Sequence, residues 1–127
     1  MRSVFKTRHF SRWMRKTELS DRVLCVAVSE MEKGLIDADL GGSVIKKRVP
    51  LPGRGKSAST RILVATNKGD RWFFVFGFEK NERSNVTEAE LESLREIAKQ
   101  LLVRTSKELD EAVGDGSLQE ICHDNEG

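Results

Sequence analysis

The sequence predicts an α+β fold: a small antiparallel β-sheet with helices packed on one face, its elements in the order βααβββα. Three observations predict it. Two neighbouring apolar runs, Thr60–Thr66 and Arg71–Phe78, flank Asn67-Lys68-Gly69-Asp70, which reads as the tight turn of a hairpin. Apolar residues at helical spacing recur after Arg8, after Ser20 and after Thr87. The chain has 127 residues and 38% hydrophobic content, enough for one buried core, so a single domain is expected.

Ser3–Thr7 alternates and suits an edge or near-edge strand. From Arg8 the spacing becomes helical, with Phe10, Trp13 and Met14 as an apolar patch and Arg8, Arg12, Arg15 and Lys16 as a basic back. Such a back is the face any solvated amphipathic helix shows, and that reading is preferred to RNA contact. Thr17 to Ser20 breaks the helix. Ser20-Asp21 then caps a second one, whose core face is Val23, Leu24, Ala27, Val28, Met31 and Leu35, with Gly34 weakening its last turn. Ile36 to Gly42, with two aspartates and a Gly-Gly pair, reads as a loop.

In the strand that follows, Val44, Lys46 and Arg48 share one face and Ile45, Lys47 and Val49 the other, so Lys47 is expected to snorkel out on the helix side. Pro50 and Pro52 end the strand, and residues 53–59 form a loop of small residues. Its Gly55-Lys56-Ser57 is not a phosphate-binding P-loop: position 50, where the motif needs glycine, is Pro50, and the next segment is strand-like. In the second hairpin strand, Trp72, Phe74, Phe76 and Phe78 fall on one face and Phe73, Val75 and Gly77 on the other. Two apolar faces mark an interior strand. An aromatic row can stack bases, but a core beneath helices is the preferred reading.

Thr87 and Glu90 form a capping box that starts a helix through Leu91, Leu94, Ile97, Ala98, Leu101 and Leu102. The domain is expected to span residues 1–105. Residues 106–127 hold one Lys against seven acids, with Gly114, Gly116 and an Asp-Asn-Glu-Gly ending, and read as an acidic tail, partly helical at most or disordered.

The net charge of +2 conceals an asymmetry. Residues 1–61 carry 14 Lys/Arg against 6 Asp/Glu, and residues 62–127 carry 8 against 14. Between Lys46 and Arg61 lie Lys46, Lys47, Arg48, Arg54, Lys56 and Arg61 without one carboxylate, a cluster that calls for a multivalent anion; phosphodiester backbone is the commonest. Cys25 and Cys122 have no metal-ligand spacing to His9 or His123 and are expected as reduced thiols. No signal-peptide pattern opens the chain, and its longest apolar run, Trp72 to Phe78, is too short to cross a bilayer, so a cytoplasmic protein is expected.

The Lys46-x-Arg48 strand, Gly55-Lys56-Ser57, Arg61 opening the next strand and the run from Phe78 to Arg83, in this order of elements, resemble the RelE/HigB superfamily of toxins from bacterial type II toxin–antitoxin modules, over about residues 3–104. The resemblance implies a ribosome-dependent endoribonuclease that cuts messenger RNA in the ribosomal A site and needs no metal or cofactor. The chemistry suits the residues, because RNA carries its own nucleophile, the 2′-hydroxyl, and cations can orient the phosphate and stabilise the charge that develops. By similarity Lys46, Arg48, Arg61 and Lys80 would be catalytic, while Arg54, Lys56, Phe78, Asn81 and Arg83 would bind RNA.

The implied partners are messenger RNA on the ribosome and a helix-turn-helix antitoxin of the HigA type, with the toxin a monomer when free. Two departures stand out: RelE has arginine where this chain has Asn81 and tyrosine where it has Thr87, and the chain contains no tyrosine. Glu82 is expected to pair with Arg83 or Lys80. Two other readings stay open, a ParE-like toxin that acts on DNA gyrase without cutting RNA and a non-catalytic RNA-binding module.

Overall fold

A computed structural model describes residues 2–50 and 59–123. In chain order the elements are β1 (Ser3–Thr7), α1 (Arg8–Met14), α2 (Asp21–Glu32), β2 (Ala38–Asp39), β3 (Val44–Pro50), β4 (Ser59–Thr66), β5 (Arg71–Glu79), α3 (Glu88–Leu102), α4 (Ser106–Gly114) and β6 (Leu118–Ile121). The strands form one sheet in the order β2-β3-β4-β5-β1-β6. All neighbours are antiparallel except β1 and β5, which run parallel; α1 and α2 carry the chain from β1 to β2 at the far edge of the sheet.

Local chemistry sets most boundaries. Ser20 accepts a hydrogen bond from Val23 N–H and starts α2; Thr87 and Glu90 satisfy each other's backbone donors and start α3. In the β4–β5 turn the Asn67 side-chain oxygen accepts from Gly69 and Arg71 N–H, and Lys68 adopts φ 62°. The far end of α3 is held by Arg71, whose guanidinium donates to the carbonyls of Leu102 and Arg104.

Helices cover both faces of the sheet, not one. On the first face α1 and α2 bury Phe10, Met14, Leu24, Ala27, Val28 and Met31 against Val4, Ile45, Ile62, Val64, Trp72 and Phe74. On the second, α3 and α4 bury Leu94, Ala98, Leu101, Leu109 and Ala112 against Phe5, Val44, Leu63, Ala65, Phe73 and Val75. The two apolar faces of the hairpin strands require exactly such a pair of covers. Leu35, placed on the α2 core face by spacing, lies past the helix end and is exposed.

The aromatic row of β5 is also broken. A β-bulge lies opposite Leu63 and Val64, where Leu63 pairs with Phe76 and Val64 with Phe74, leaving Val75 as the extra residue. Trp72 and Phe74 therefore face α1 and α2, whereas Phe76 and Phe78 turn to the side of Phe73 and Val75. Gly77 falls on the α1 side, directly beneath the Trp13 ring. A Cβ there would lie 2.2 Å from that ring. Gly77→Ala is expected to destabilise the fold by about 1–3 kcal/mol through overpacking. Urea denaturation checks this, with Trp13→Leu in the same chain restoring part of the loss.

The acidic tail is a further correction. Residues 106–121 form α4, started by its own capping box at Thr105 and Glu108, and β6, which pairs antiparallel with β1. Leu109, Ala112, Leu118 and Ile121 are its buried anchors, an apolar set masked in composition by the acids between them. Another correction concerns the thiols. Cys25 on α2 and Cys122 after β6 are joined in a disulfide, because the sheet brings the chain's last strand alongside α2.

Candidate nucleic-acid interface

Strands β3, β4 and β5 set the register of the site. Arg48 pairs with Arg61, and Arg61 with Phe78, so the three side chains form a cross-strand row on one face. A parallel row, Val44, Ala65 and Phe73, lies on the same face and is buried beneath α3. The cationic row is four residues further along β3. Arg48 is exposed and has no ionic partner among the described residues, whereas the Lys46 and Arg61 side chains are only 16% and 11% exposed. Lys47 points to the opposite face and pairs with Glu30 of α2 at 2.9 Å, as its alternation predicts.

A carboxylate absent from the sequence reading organises this cluster. Asp37 Oδ2 lies 3.4 Å from Arg61 Nε and 3.8 Å from Lys46 Nζ, and Asp37 N–H donates to the Lys46 carbonyl at 2.7 Å. Asp37 thus locks the edge of the sheet to both cations. It fixes Arg61 through Nε. No local pattern marks it out, since it sits in a stretch whose glycines and aspartates read as an ordinary loop.

The end of β5 is built differently from its expected role. Phe78 is buried and offers no face to a base; Arg83 lies over it and over Phe76, its Cζ 5.9 and 5.8 Å from the two ring centroids. His9 of α1 stacks on Phe76, with centroids 5.8 Å apart and planes 9° from parallel. Arg83 pairs with Glu90, not with Glu82, through both carboxylate oxygens, one contact being 3.0 Å. Lys80 and Asn81 are exposed on the turn after β5, where the N–H groups of Glu82 and Arg83 donate to the Glu79 carbonyl. Arg54 and Lys56 lie outside the described residues. Lys46, Arg48 and Arg61 thus come together, while Arg83 is clamped to α3.

Glu90 serves both the α3 cap and this clamp. The Arg83 hydrogen bond, aided by the Thr87 N–H, pulls its carboxyl from an ordinary 4.5 down to about 2. A depressed carboxyl contributes stability that is complete above its unfolded value and lost as pH falls through its folded one. The Arg83–Glu90 pair should therefore support the fold above about pH 4.5 and fade between there and about pH 2. Glu90→Gln is expected to flatten the acid-side fall of the melting temperature across that window, read by scanning calorimetry.

A cleft of about 360 Å³ adjoins these residues, lined by His9, Arg12, Lys16, Phe76, Glu82 and Arg83 among others. No group of three or more His, Cys, Asp or Glu able to hold a metal ion occurs among the described residues. The sheet instead presents fixed guanidinium and ammonium groups, the donors that suit a phosphodiester.

A family model described as the RelE toxin of the RelE/RelB toxin–antitoxin system matches residues 1–121. The chain belongs to this RelE toxin family. A search of curated proteins returns no match. The family match runs to Ile121, the last residue of β6, so in this RelE-family toxin the closing helix and strand are part of the matched unit. Membership makes it the toxin of a toxin–antitoxin pair and implies an antitoxin partner.

Proposed function

We propose that this RelE-family toxin is an endoribonuclease that cleaves messenger RNA in the A site of cytoplasmic ribosomes by attack of the 2′-hydroxyl on the adjacent phosphate. The observation that carries this reading is the Arg48–Arg61 pair on one sheet face, with Lys46 beside it and Asp37 holding Arg61 in place. The fork of Arg48 grips a phosphate oxygen from solvent, and Arg61 stabilises charge as the phosphorane forms. Lys46 and Lys80 are the candidates for moving the two protons, one from the 2′-hydroxyl and one to the leaving 5′-oxygen. Asp37 acts through Arg61 as a positioning residue. A helix-turn-helix antitoxin would silence the toxin by covering this face.

Induced expression in bacteria, with primer extension on a translated message, tests the reading. New 5′ ends within codons, present for the wild type and absent for Arg61→Ala, are the expected result. Growth arrest with intact messages would overturn it in favour of a ParE-like action on gyrase, and binding of RNA without cleavage would leave a non-catalytic module.

A further inference from the structure

A second basic cleft lies away from the Arg48–Arg61 row. It opens between α1, the segment after α1 and the β1–β6 edge, encloses about 720 Å³, and is lined by Lys6, Arg8, Ser11, Arg12, Arg15 and Gln119 among others, with no carboxylate in its wall among the described residues. Arg8, Arg12 and Arg15 recur at i, i+4 and i+7, which sets them along one side of the helix. Among the described residues none of the three forms an ion pair, although, beside the Ser117 hydrogen bonds, the Arg8 charge helps to hold the Asp115 carboxyl below its usual range. Arg12 has no partner among the described residues, and Arg8 and Arg15 reach only carbonyl oxygens, of Asp115 at 3.4 Å and Ser11 at 3.5 Å. The Asp115 carboxylate is itself engaged by the Ser117 N–H and hydroxyl. Lys6, by contrast, is neutralised by Asp21 at 2.7 Å.

Two further observations point to a ligand. Ser11 lines the cleft, and its buried hydroxyl has no hydrogen-bond partner among the described residues, an arrangement folded proteins rarely leave unfilled. Arg12 also lines the smaller cleft beside Phe76, Phe78 and Arg83. The two clefts therefore share a wall, and a basic track leads from the end of β5 across Arg12 to Arg15 and Arg8.

We propose that the Arg8–Arg12–Arg15 cleft binds phosphates of the RNA strand outside the cleaved bond, so that α1 grips the flanking backbone while the sheet holds the scissile phosphate. Spaced single cations, with no aromatic side chain in the wall among the described residues, fit a phosphodiester chain read without regard to sequence. The assignment of the strand to the sheet rests on the proposed nuclease reading, but the cleft's affinity for RNA can be measured apart from it.

The test uses the full chain and a 2′-O-methyl RNA dodecamer, which cannot be cut by 2′-hydroxyl attack, with binding followed by fluorescence anisotropy over a salt series. Arg12 and Arg15 are exposed, so the double variant Arg12→Gln/Arg15→Gln should keep the wild-type melting temperature. Its affinity is expected to fall about tenfold or more, and the slope of log K against log salt to shrink by about 1.4, the value for two lost single-strand phosphate contacts. Unchanged affinity and slope in the folded double variant would overturn the proposal; so would unchanged RNA binding with lost binding of the antitoxin, which would give the cleft to protein. A double variant that loses RNA while wild type cuts no message would sustain the cleft and refute the nuclease.

Discussion

Arg61→Ala is expected to lower the single-turnover rate of RNA cleavage by about 10²- to 10³-fold while weakening RNA binding far less. The asymmetry follows from where the side chain sits. Its guanidinium is fixed before substrate arrives, Nε being engaged by Asp37 at 3.4 Å and the side chain only 11% exposed, so little reorganisation accompanies charge development on the phosphorane. Arg61→Lys should recover little, because an ammonium cannot reproduce the fork that serves carboxylate and phosphate together. Asp37→Asn keeps shape but frees Arg61, and should reduce the rate with a smaller change in affinity. Cleavage on programmed ribosomes, with affinity measured separately, separates these outcomes. A modest equal loss in affinity for all three variants and no loss of rate would place Arg61 among ordinary backbone contacts.

What could be read without a structure was what neighbouring residues decide among themselves. The β4–β5 hairpin, the Ser20 cap and the Thr87–Glu90 box depend on contacts a few residues apart, and each stands where its pattern puts it. The shared face of Lys46, Arg48 and Arg61 was equally legible, since alternation and antiparallel pairing are local rules. Decisions made between distant segments were not. The bulge that turns Phe76 and Phe78 away from Trp72 arises from how β5 fits β4 beneath Trp13, and nothing in a row of phenylalanines announces it. Arg83 had an acidic neighbour in Glu82 yet pairs with Glu90, where α3 delivers a carboxylate already fixed by its cap. Asp37 became part of the site only when β2 brought it to the edge of β3. The acids of residues 106–121 hid a spacing of Leu109, Ala112, Leu118 and Ile121 that is sufficient to close the fold.

The Cys25–Cys122 bond leads to the other large expected effect. It closes a separation of 97 residues, and a loop of that order restricts the unfolded chain by about 4–5 kcal/mol in the entropic account, with measured losses on removing native bridges of about 2–5 kcal/mol. Reduction, or Cys25→Ser/Cys122→Ser, is therefore expected to lower the melting temperature by roughly 10 °C. The loss should begin at the end the bond secures: β6 is a four-residue edge strand, joined to the sheet through β1 alone. Amide exchange should accelerate first in β6 and α4. Lys46, Arg48 and Arg61 lie on β3 and β4, separated from β6 by β5 and β1, so cleavage well below the melting transition should survive reduction. A compartment that keeps thiols reduced would then hold an active but less durable toxin. Melting curves with and without reductant decide the matter, with the double serine variant as the reference that reductant leaves unmoved. Superimposable curves for the wild type would mean that the two sulfurs are not joined in solution, and that β6 is held by Leu118, Ile121 and its pairing with β1 alone.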